Sequence, residues 1–287
     1  MTGRDRSMQE LRGLPVAKKM AEQATTLVEE LKGKGIMPKL AVVRVGERED
    51  DLSYERGLMK KFENVGALAE TIVFPVDVSQ EELEQGIKKL NEDEKVHGIL
   101  VFRPLPKHLN EEVIKELVTP EKDVDCMGSV NNAHVFAQDG KGHAPCTPQA
   151  VMEMLDFYGY DLTGKKAVVV GRSMVVGKPL SQMLLKKNAT VTICHTKTAD
   201  LRKEVKEADF VFACAGVAKM LDASYIREGQ VVIDVGINVL DGKLCGDVDY
   251  ESIQEIVAAA TPVPGGVGSV TTSVLLKHVL DNASKNL

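Results

Sequence analysis

KKAVVVGRSMVVGKPL, residues 165–180, is the stretch on which the fold turns. It opens with KKAVVV, Lys165–Val170, whose alanine and three valines read as a strand. Gly171 and Gly177 then bracket a short loop, and a helical pattern runs from about Gly177 to Lys187. A strand that passes through a glycine turn into a helix supplies a tight turn, close backbone approach and free N–H groups aimed at phosphate. The spacing is G-x-S-x-x-x-G rather than G-x-G-x-x-G, so taken alone the loop reads equally well as a structural turn. Its position at the head of a βαβ series is what argues for a nucleotide.

Downstream, strands are expected at ATVTIC (189–194), DFVFAC (209–214) and QVVIDV (230–235), which makes a small doubly wound domain. Upstream, Val16, Met20, Leu27 and Leu31 recur at helical spacing until Gly33 and Gly35 stop the run. KLAVVRV (39–45) reads as a buried strand, followed by a helix through Tyr54 to Phe62 and strand ETIVF (70–74). Ser79 with Glu82 forms a capping-box signal, HGILVF (97–102) is a third strand, and Asn110 caps a short helix ending before Pro120. Residues 120–146 are rich in Gly, Asn and Asp with little periodicity, and read as a long functional or flexible loop. Thr147 and Pro148 read as a cap and first-turn proline for a helix to about Tyr158 that crosses between domains. A last helix, from about Val270 to Ala283, follows TPVPGGVG (261–268). Strands and helices alternating from end to end predict an α/β chain of two domains with mostly parallel sheets.

A length of 287 residues accommodates two modest domains, and 44% hydrophobic with 27% charged residues is ordinary for a globular protein. A net charge of -6 argues against nucleic acid or an anionic membrane as the main partner. The N-terminus, MTGRDRSMQE, is too polar for a signal peptide, and no apolar stretch approaches a membrane span, so a soluble, cytoplasmic protein is expected. Cys126, Cys146, Cys194, Cys214 and Cys245 are scattered and odd in number, which suggests reduced, buried thiols. His134 and His143 flank a short loop without an accompanying Cys or acid cluster, so no metal site is expected.

Cofactor choice is read at the end of the second strand of the nucleotide domain. There the chain runs His195-Thr196-Lys197-Thr198, with no acid before Asp200, and Arg172 sits in the phosphate loop itself. A cationic, hydroxyl-rich corner favours NADP over NAD. The plainer reading is that Arg172 and Lys197 are solvated surface charges.

Seven segments together resemble the methylenetetrahydrofolate dehydrogenase/cyclohydrolase family, often called FolD. They are Val45-Gly46 with Tyr54 eight residues on, KDVD (122–125), PCTP (145–148), GRSMVVGKP (171–179), DVGIN (234–238), GDVD (246–249) and TPVPGGVG (261–268). The resemblance covers the chain from about residue 10 onward. It implies a folate-binding catalytic domain over 1–147, completed by a C-terminal helix over 270–287, and a Rossmann-type NADP domain over 148–269, with a cleft between them. It also implies a homodimer formed through the NADP domains. Carried across, Tyr54 matches the tyrosine that stacks on the folate and Asp125 the carboxylate on the amino-pyrimidine edge. Those residue types suit a flat heteroaromatic ligand with N–H donors, although by position alone Tyr54 reads as a core residue and Asp125 as a turn residue. Pro264, Gly265, Gly266 and Thr271 match the folate side, and Gly171, Arg172, Ser173, Gly177, Thr196 and Ile237 match NADP-contacting positions.

The departures from that pattern are specific. The family places a lysine four residues after the tyrosine, where it drives hydrolysis of the methenyl group; here the residue is Leu58. Its glutamine partner sits in V-Q-L-P-L-P, whereas this chain reads Val101-Phe102-Arg103-Pro104-Leu105-Pro106. Asp50 and Asp51 replace the usual alanine and serine, and Gly268-Ser269-Val270-Thr271 replaces glycine-proline-methionine-threonine. Hydride transfer needs alignment rather than a base, while a positioned acid–base group contributes about 10²–10⁴-fold to hydrolysis. The expectation is therefore NADP-dependent oxidation of methylenetetrahydrofolate with weak or absent cyclohydrolase activity. The alternatives are a bifunctional enzyme in which Lys61, Lys60 or Arg103 stands in, a non-catalytic folate- or NADP-binding partner, and an unrelated NADP dehydrogenase acting on a shikimate-like acid.

Overall fold

The computed structural model describes residues 8–285. The start of the polar N-terminus and the last two residues of the expected 270–287 helix lie outside the described residues. In chain order the elements are β1 (Gln9–Glu10), α1 (Gly13–Gly33), β2 (Lys39–Val45), α2 (Glu49–Val65), β3 (Leu68–Phe74), α3 (Gln80–Glu92), β4 (Gly98–Val101), α4 (Glu111–Leu117) and α5 (Ser129–Ala137). They continue with α6 (Cys146–Phe157), β5 (Lys166–Val170), α7 (Gly177–Lys186), β6 (Thr190–Cys194), α8 (Leu201–Glu207), β7 (Phe210–Ala213) and β8 (Val231–Asp234). Last come β9 (Asn238–Leu240), β10 (Lys243–Cys245), α9 (Tyr250–Ile253), β11 (Ala259–Ala260) and α10 (Thr271–Ser284). These fall into two compact units, one comprising Lys18–Cys146 with the segment from Thr272 on, the other the segment up to Ala17 with Thr147–Thr271.

The unit built on Lys18–Cys146, here the first unit, holds a parallel sheet in the order β3-β2-β4. Its central strand is buried along almost its whole length, as its unbroken apolar run requires. Ala41, Val43, Ile99 and Val101 pack with Leu83 and Ile87 of α3 and Ile114 of α4. Helix α2 turns Leu58, Phe62 and Val65 inward, an i, i+4, i+7 stripe, and is opened by Glu49, Asp50 and Asp51, which suit a helix N-terminus. Ser79 and Glu82 form the expected capping box on α3, and Asn110 caps α4. Helix α10 is buried nearly all round. It passes so close to β4 that a Cβ on Gly98 would lie 2.7 Å from Val124 and 2.9 Å from Val279.

The second unit is a six-stranded parallel sheet in the order β1-β11-β8-β7-β5-β6. Strand order reverses at β5, with β6 on one side and β7 on the other, so a crevice opens at the carboxyl ends of β5 and β7.

Four local expectations are corrected. The segment up to Ala17 was assigned with the first half, but β1 pairs Gln9 with Ala259 and Glu10 with Ala260 and so extends the second unit's sheet. A two-residue strand carries no periodicity to read. The 120–146 stretch is no structureless loop: α5 lies within it, hidden from pattern reading because it buries only Asn131 and exposes Val130 and Phe136. Helix α6 begins at Cys146, so Thr147 lies in its first turn rather than capping it. Finally β9 and β10 form a hairpin whose turn residues Asp241 and Gly242 both have positive φ, a D-G signal present in the sequence and overlooked.

Candidate active site

In the first unit a pocket of about 350 Å³ opens beside α2, lined by Tyr54, Phe102, Arg103, Asp125, Cys146 and Leu275 together with Arg48, Asp50 and Asp51. Tyr54 stands on the exposed face of α2, 44% accessible, and meets Phe102 edge-on at 5.6 Å between ring centroids. Burial raises the phenol's pKa, and the neighbouring Cys146 and Asp125 raise it further, so it is a neutral hydrogen-bonding group. Asp125 is half-buried and accepts the Cys146 backbone N–H at 3.4 Å. Burial pushes its carboxyl upward, against hydrogen bonding from Cys146 and the charge of Arg103.

Asp125 is held from behind by groups that the sequence reading missed. His278 of α10 donates Nδ1–H to the Val124 carbonyl at 2.8 Å, because a carbonyl can only accept. Its ring stacks on His143 at 4.2 Å, His143 Nε2 pairs with Asn282 Oδ1 at 2.8 Å, and Asn282 donates to the His97 carbonyl at 3.0 Å. Burial lowers the pKa of both stacked histidines. The two also explain why His143 without metal-ligand neighbours is nonetheless buried.

Both departing positions are apolar and buried; Phe102 lines the pocket, and Leu58 lies in the core behind it on α2. Leu58 is 1% exposed and Phe102 8%. Lys60 is exposed on the surface, and Lys61 Nζ donates to the buried Ser273 hydroxyl at 2.6 Å. Burial lowers the Lys61 pKa, but the side chain is not among those lining the pocket. Arg103 does line it, 3.6 Å from Glu111. Arg48 bridges Asp51 at 3.8 Å and the Pro104 carbonyl at 3.0 Å, which ties the start of α2 to the Phe102–Pro106 loop.

In the second unit the glycine loop is as tight as its spacing implies. A Cβ on Gly171, whose φ is 136°, would lie 2.3 Å from the Cys214 carbonyl oxygen, and one on Gly177 would lie 2.3 Å from that of Gly171. Ser173 Oγ accepts N–H bonds from Val176 at 3.1 Å and Gly177 at 3.4 Å, while the Arg172 side chain stands in solvent. Thr196 and Lys197 are exposed after β6, where His195 N–H donates to Thr198 Oγ1 at 2.8 Å. The nearest acid, Asp200, is occupied in capping α8. A tight glycine turn at a helix N-terminus, with the exposed Arg172 beside it, suits a phosphorylated dinucleotide.

Pro264, Gly265, Gly266 and Ile237 line one pocket of about 210 Å³ in this unit, and Thr271 starts α10 with its hydroxyl on the Gly268 carbonyl at 3.2 Å. The DVGIN and GDVD motifs turn out to interlock. Asp234 Oδ1 accepts from Gly236 and Asp247 N–H and Oδ2 from Val248 N–H, all at 2.9–3.0 Å. Burial lifts the Asp234 pKa to about 7. Among the described residues no group of three or more His, Cys, Asp or Glu is arranged to hold a metal ion, and no helix is long and apolar enough to cross a membrane.

Residues 11–125 match the family model described as tetrahydrofolate dehydrogenase/cyclohydrolase, catalytic domain, and residues 145–287 match the NAD(P)-binding domain of the same name. The chain belongs to this family. Among curated relatives, the bifunctional protein FolD of Clostridioides difficile is 54% identical over 271 residues, 94% of each chain. The crystal structure of the bifunctional FolD enzyme of Campylobacter jejuni superposes with a TM-score of 0.95 at 39% identity, covering 98% of this chain and 100% of that one. The Trypanosoma brucei FolD structure, complexed with NADP cofactor and inhibitor, gives 0.91 at 35% identity, covering 97% and 98%. Family membership removes the reading as an unrelated dehydrogenase of similar shape. It also places the glycine loop in an NAD(P)-binding domain.

Proposed function

We propose that this FolD-family protein oxidises methylenetetrahydrofolate to methenyltetrahydrofolate with NADP and hydrolyses the methenyl product weakly or not at all. The observation that carries the second half is the pair Leu58 and Phe102: both are buried and apolar, at the two positions where the family resemblance expects a lysine and its glutamine. The stand-ins fare poorly on chemical grounds. Arg103 cannot give up its proton and so cannot act as a base. Lys61 is bonded to Ser273, and its backbone lies roughly 4.5 Å further along the helix than that of Leu58 (three residues at about 1.5 Å each).

Asp125 would accept the N–H donors of the pterin's amino-pyrimidine edge, and the partly exposed Tyr54 would stack its ring on the fused ring. NADP supplies the acceptor for the hydride. The C–H bond breaks with its electron pair leaving, and the carbon becomes an amidinium-like cation stabilised by its own two nitrogens. No proton leaves carbon, so this step asks of the protein only alignment and exclusion of water. Hydrolysis instead needs water to add to that cation and protons to move, which is the work a lysine at 58 would do.

The NADP preference rests on Arg172 and on the absence of a free acid near Thr196. A cytoplasmic homodimer is part of the same reading; it is supported by the β9–β10 hairpin, which exposes Val239, Leu240 and Leu244. A second reading, a fully bifunctional enzyme, is favoured by the curated relatives described as bifunctional. Purified protein given methenyltetrahydrofolate without NADP separates the two: slow, near-spontaneous loss supports the proposal, and rapid catalysed loss supports bifunctionality.

A further inference from the structure

Asp247 is fully buried, at 0% exposure, and among the described residues its carboxylate is hydrogen-bonded by neutral donors. Its Oδ2 accepts backbone N–H from Ala215 at 2.6 Å and Gly216 at 2.9 Å. Its Oδ1 accepts from Val217 N–H at 3.0 Å and from the Asn238 side-chain amide at 2.9 Å. Three consecutive N–H groups of the loop after β7 and the side chain of Asn238, which opens β9 at the end of the loop after β8, therefore converge on a single carboxylate. Two glycines make the approach possible: a Cβ on Gly236 would lie 2.1 Å from Asp247 Oδ1, and one on Gly246 would lie 1.9 Å from Asp234 Oδ2. Asp234 returns the favour by accepting Asp247 N–H at 3.0 Å.

The loop after β7 is the wall of the crevice where strand order reverses, since Gly171 packs directly on the Cys214 carbonyl. The loops that Asp247 joins each present an exposed apolar side chain, Val217 and Ile237. We propose that Asp247 is a positioning residue for the nucleotide: it fixes the loops after β7 and β8 in one register without itself touching the ligand. This rests on the reading of the second unit as the NADP site. The inference goes beyond that reading, because the energy of nucleotide binding then depends on a carboxylate that lies beneath the site.

The test is Asp247→Asn in the full-length protein, with NADP binding measured by calorimetry and steady-state kinetics measured with methylenetetrahydrofolate. The amide removes the charge and turns an NH2 donor toward groups that are themselves N–H donors; the expected loss is roughly 10–100-fold in NADP affinity. The KM for NADP should rise in step, with kcat at saturating NADP and the KM for folate each within about threefold of wild type. A residue that merely supported the fold would lower the melting temperature and disturb both substrates alike, and that result overturns the proposal. Unchanged NADP affinity in the folded variant also overturns it. Should Asp247→Asn fail to fold, Asn238→Ala removes one of the four donors. Weaker NADP binding with unchanged folate KM then supports the proposal, and wild-type NADP binding overturns it. Failure of wild-type protein to bind NADP at all would instead overturn the functional reading.

Discussion

Restoring a polar pair at positions 58 and 102 is the perturbation that reaches deepest into the reaction. Leu58→Lys alone removes a side chain that is 1% exposed and puts an ammonium in its place. The lost apolar burial is worth about 1.5–3 kcal/mol, and an uncompensated buried charge adds several more. The single variant should therefore melt at lower temperature, with a lysine pKa depressed by burial and little gain in hydrolysis. Phe102→Gln supplies an acceptor in the pocket lining beside Tyr54, and the smaller side chain leaves room there for the lysine head to turn toward the substrate. The double variant should raise methenyltetrahydrofolate hydrolysis at least ~10-fold, the low end of what a positioned acid–base group contributes. It also removes the Tyr54–Phe102 ring contact, worth about 0.5–1.5 kcal/mol, so the KM for folate should rise by roughly 2–10-fold. The dehydrogenase kcat should change little, since hydride transfer uses no base. The assay follows loss of the methenyl chromophore without NADP, beside NADP reduction from methylenetetrahydrofolate. A folded double variant that hydrolyses no faster than wild type refutes the reasoning.

Other perturbations bear on other parts of the account. Arg172→Ala should weaken NADP binding about 10–100-fold and NAD binding far less, because a charge-assisted hydrogen bond is worth roughly 1.5–3 kcal/mol; equal losses in paired titrations would make Arg172 structural. Asp125→Asn should raise the folate KM strongly and leave NADP affinity unchanged, since a donor then faces donors; wild-type folate kinetics would remove Asp125 from the site. The His278 pKa is depressed in the folded protein, so the stability linked to its neutral form is complete above the unfolded value near 6.5 and is lost as pH falls below it, by about 1.4 kcal/mol per pH unit. The melting temperature of His278→Gln should thus fall less steeply than that of wild type between pH 6.5 and 5, and parallel curves would contradict the assignment. Asp234 acts in the opposite sense: its pKa, raised to about 7, makes its contribution complete at low pH and lost as pH rises toward and through 7.

What was legible in the sequence follows from how far each feature extends along the chain. Strands such as Lys39–Val45 and Lys166–Val170 carry their burial in a continuous apolar run, so composition alone located them. The glycine loop was readable because Gly171 and Gly177 stand six residues apart between a strand and a helix, although the contact that demands glycine at 171 comes from the distant Cys214 carbonyl. Tyr54 and Asp125 were found through family motifs, and the structure brings both to one pocket with Phe102. What escaped notice depends on partners far away in the chain. His278 acts on Val124, 154 residues earlier, and β1 pairs with β11 across the whole length. Asp234 and Asp247 were quoted within motifs, but nothing in either motif says that each carboxylate fits against the other's glycine. Helix α5 was lost because its exposed face is apolar, the reverse of the pattern that marks a surface helix.

The most direct test of the central claim is a single reaction followed to completion: wild-type protein with methylenetetrahydrofolate and excess NADP, recording NADPH and the methenyl product together. If the protein is a dehydrogenase with little cyclohydrolase activity, the two should rise in step, close to one methenyl per NADPH, with the methenyl signal decaying only at its spontaneous rate. If NADPH accumulates while methenyltetrahydrofolate stays low and the formyl product appears at a comparable rate, Leu58 and Phe102 have not cost the protein its second activity and the account is wrong.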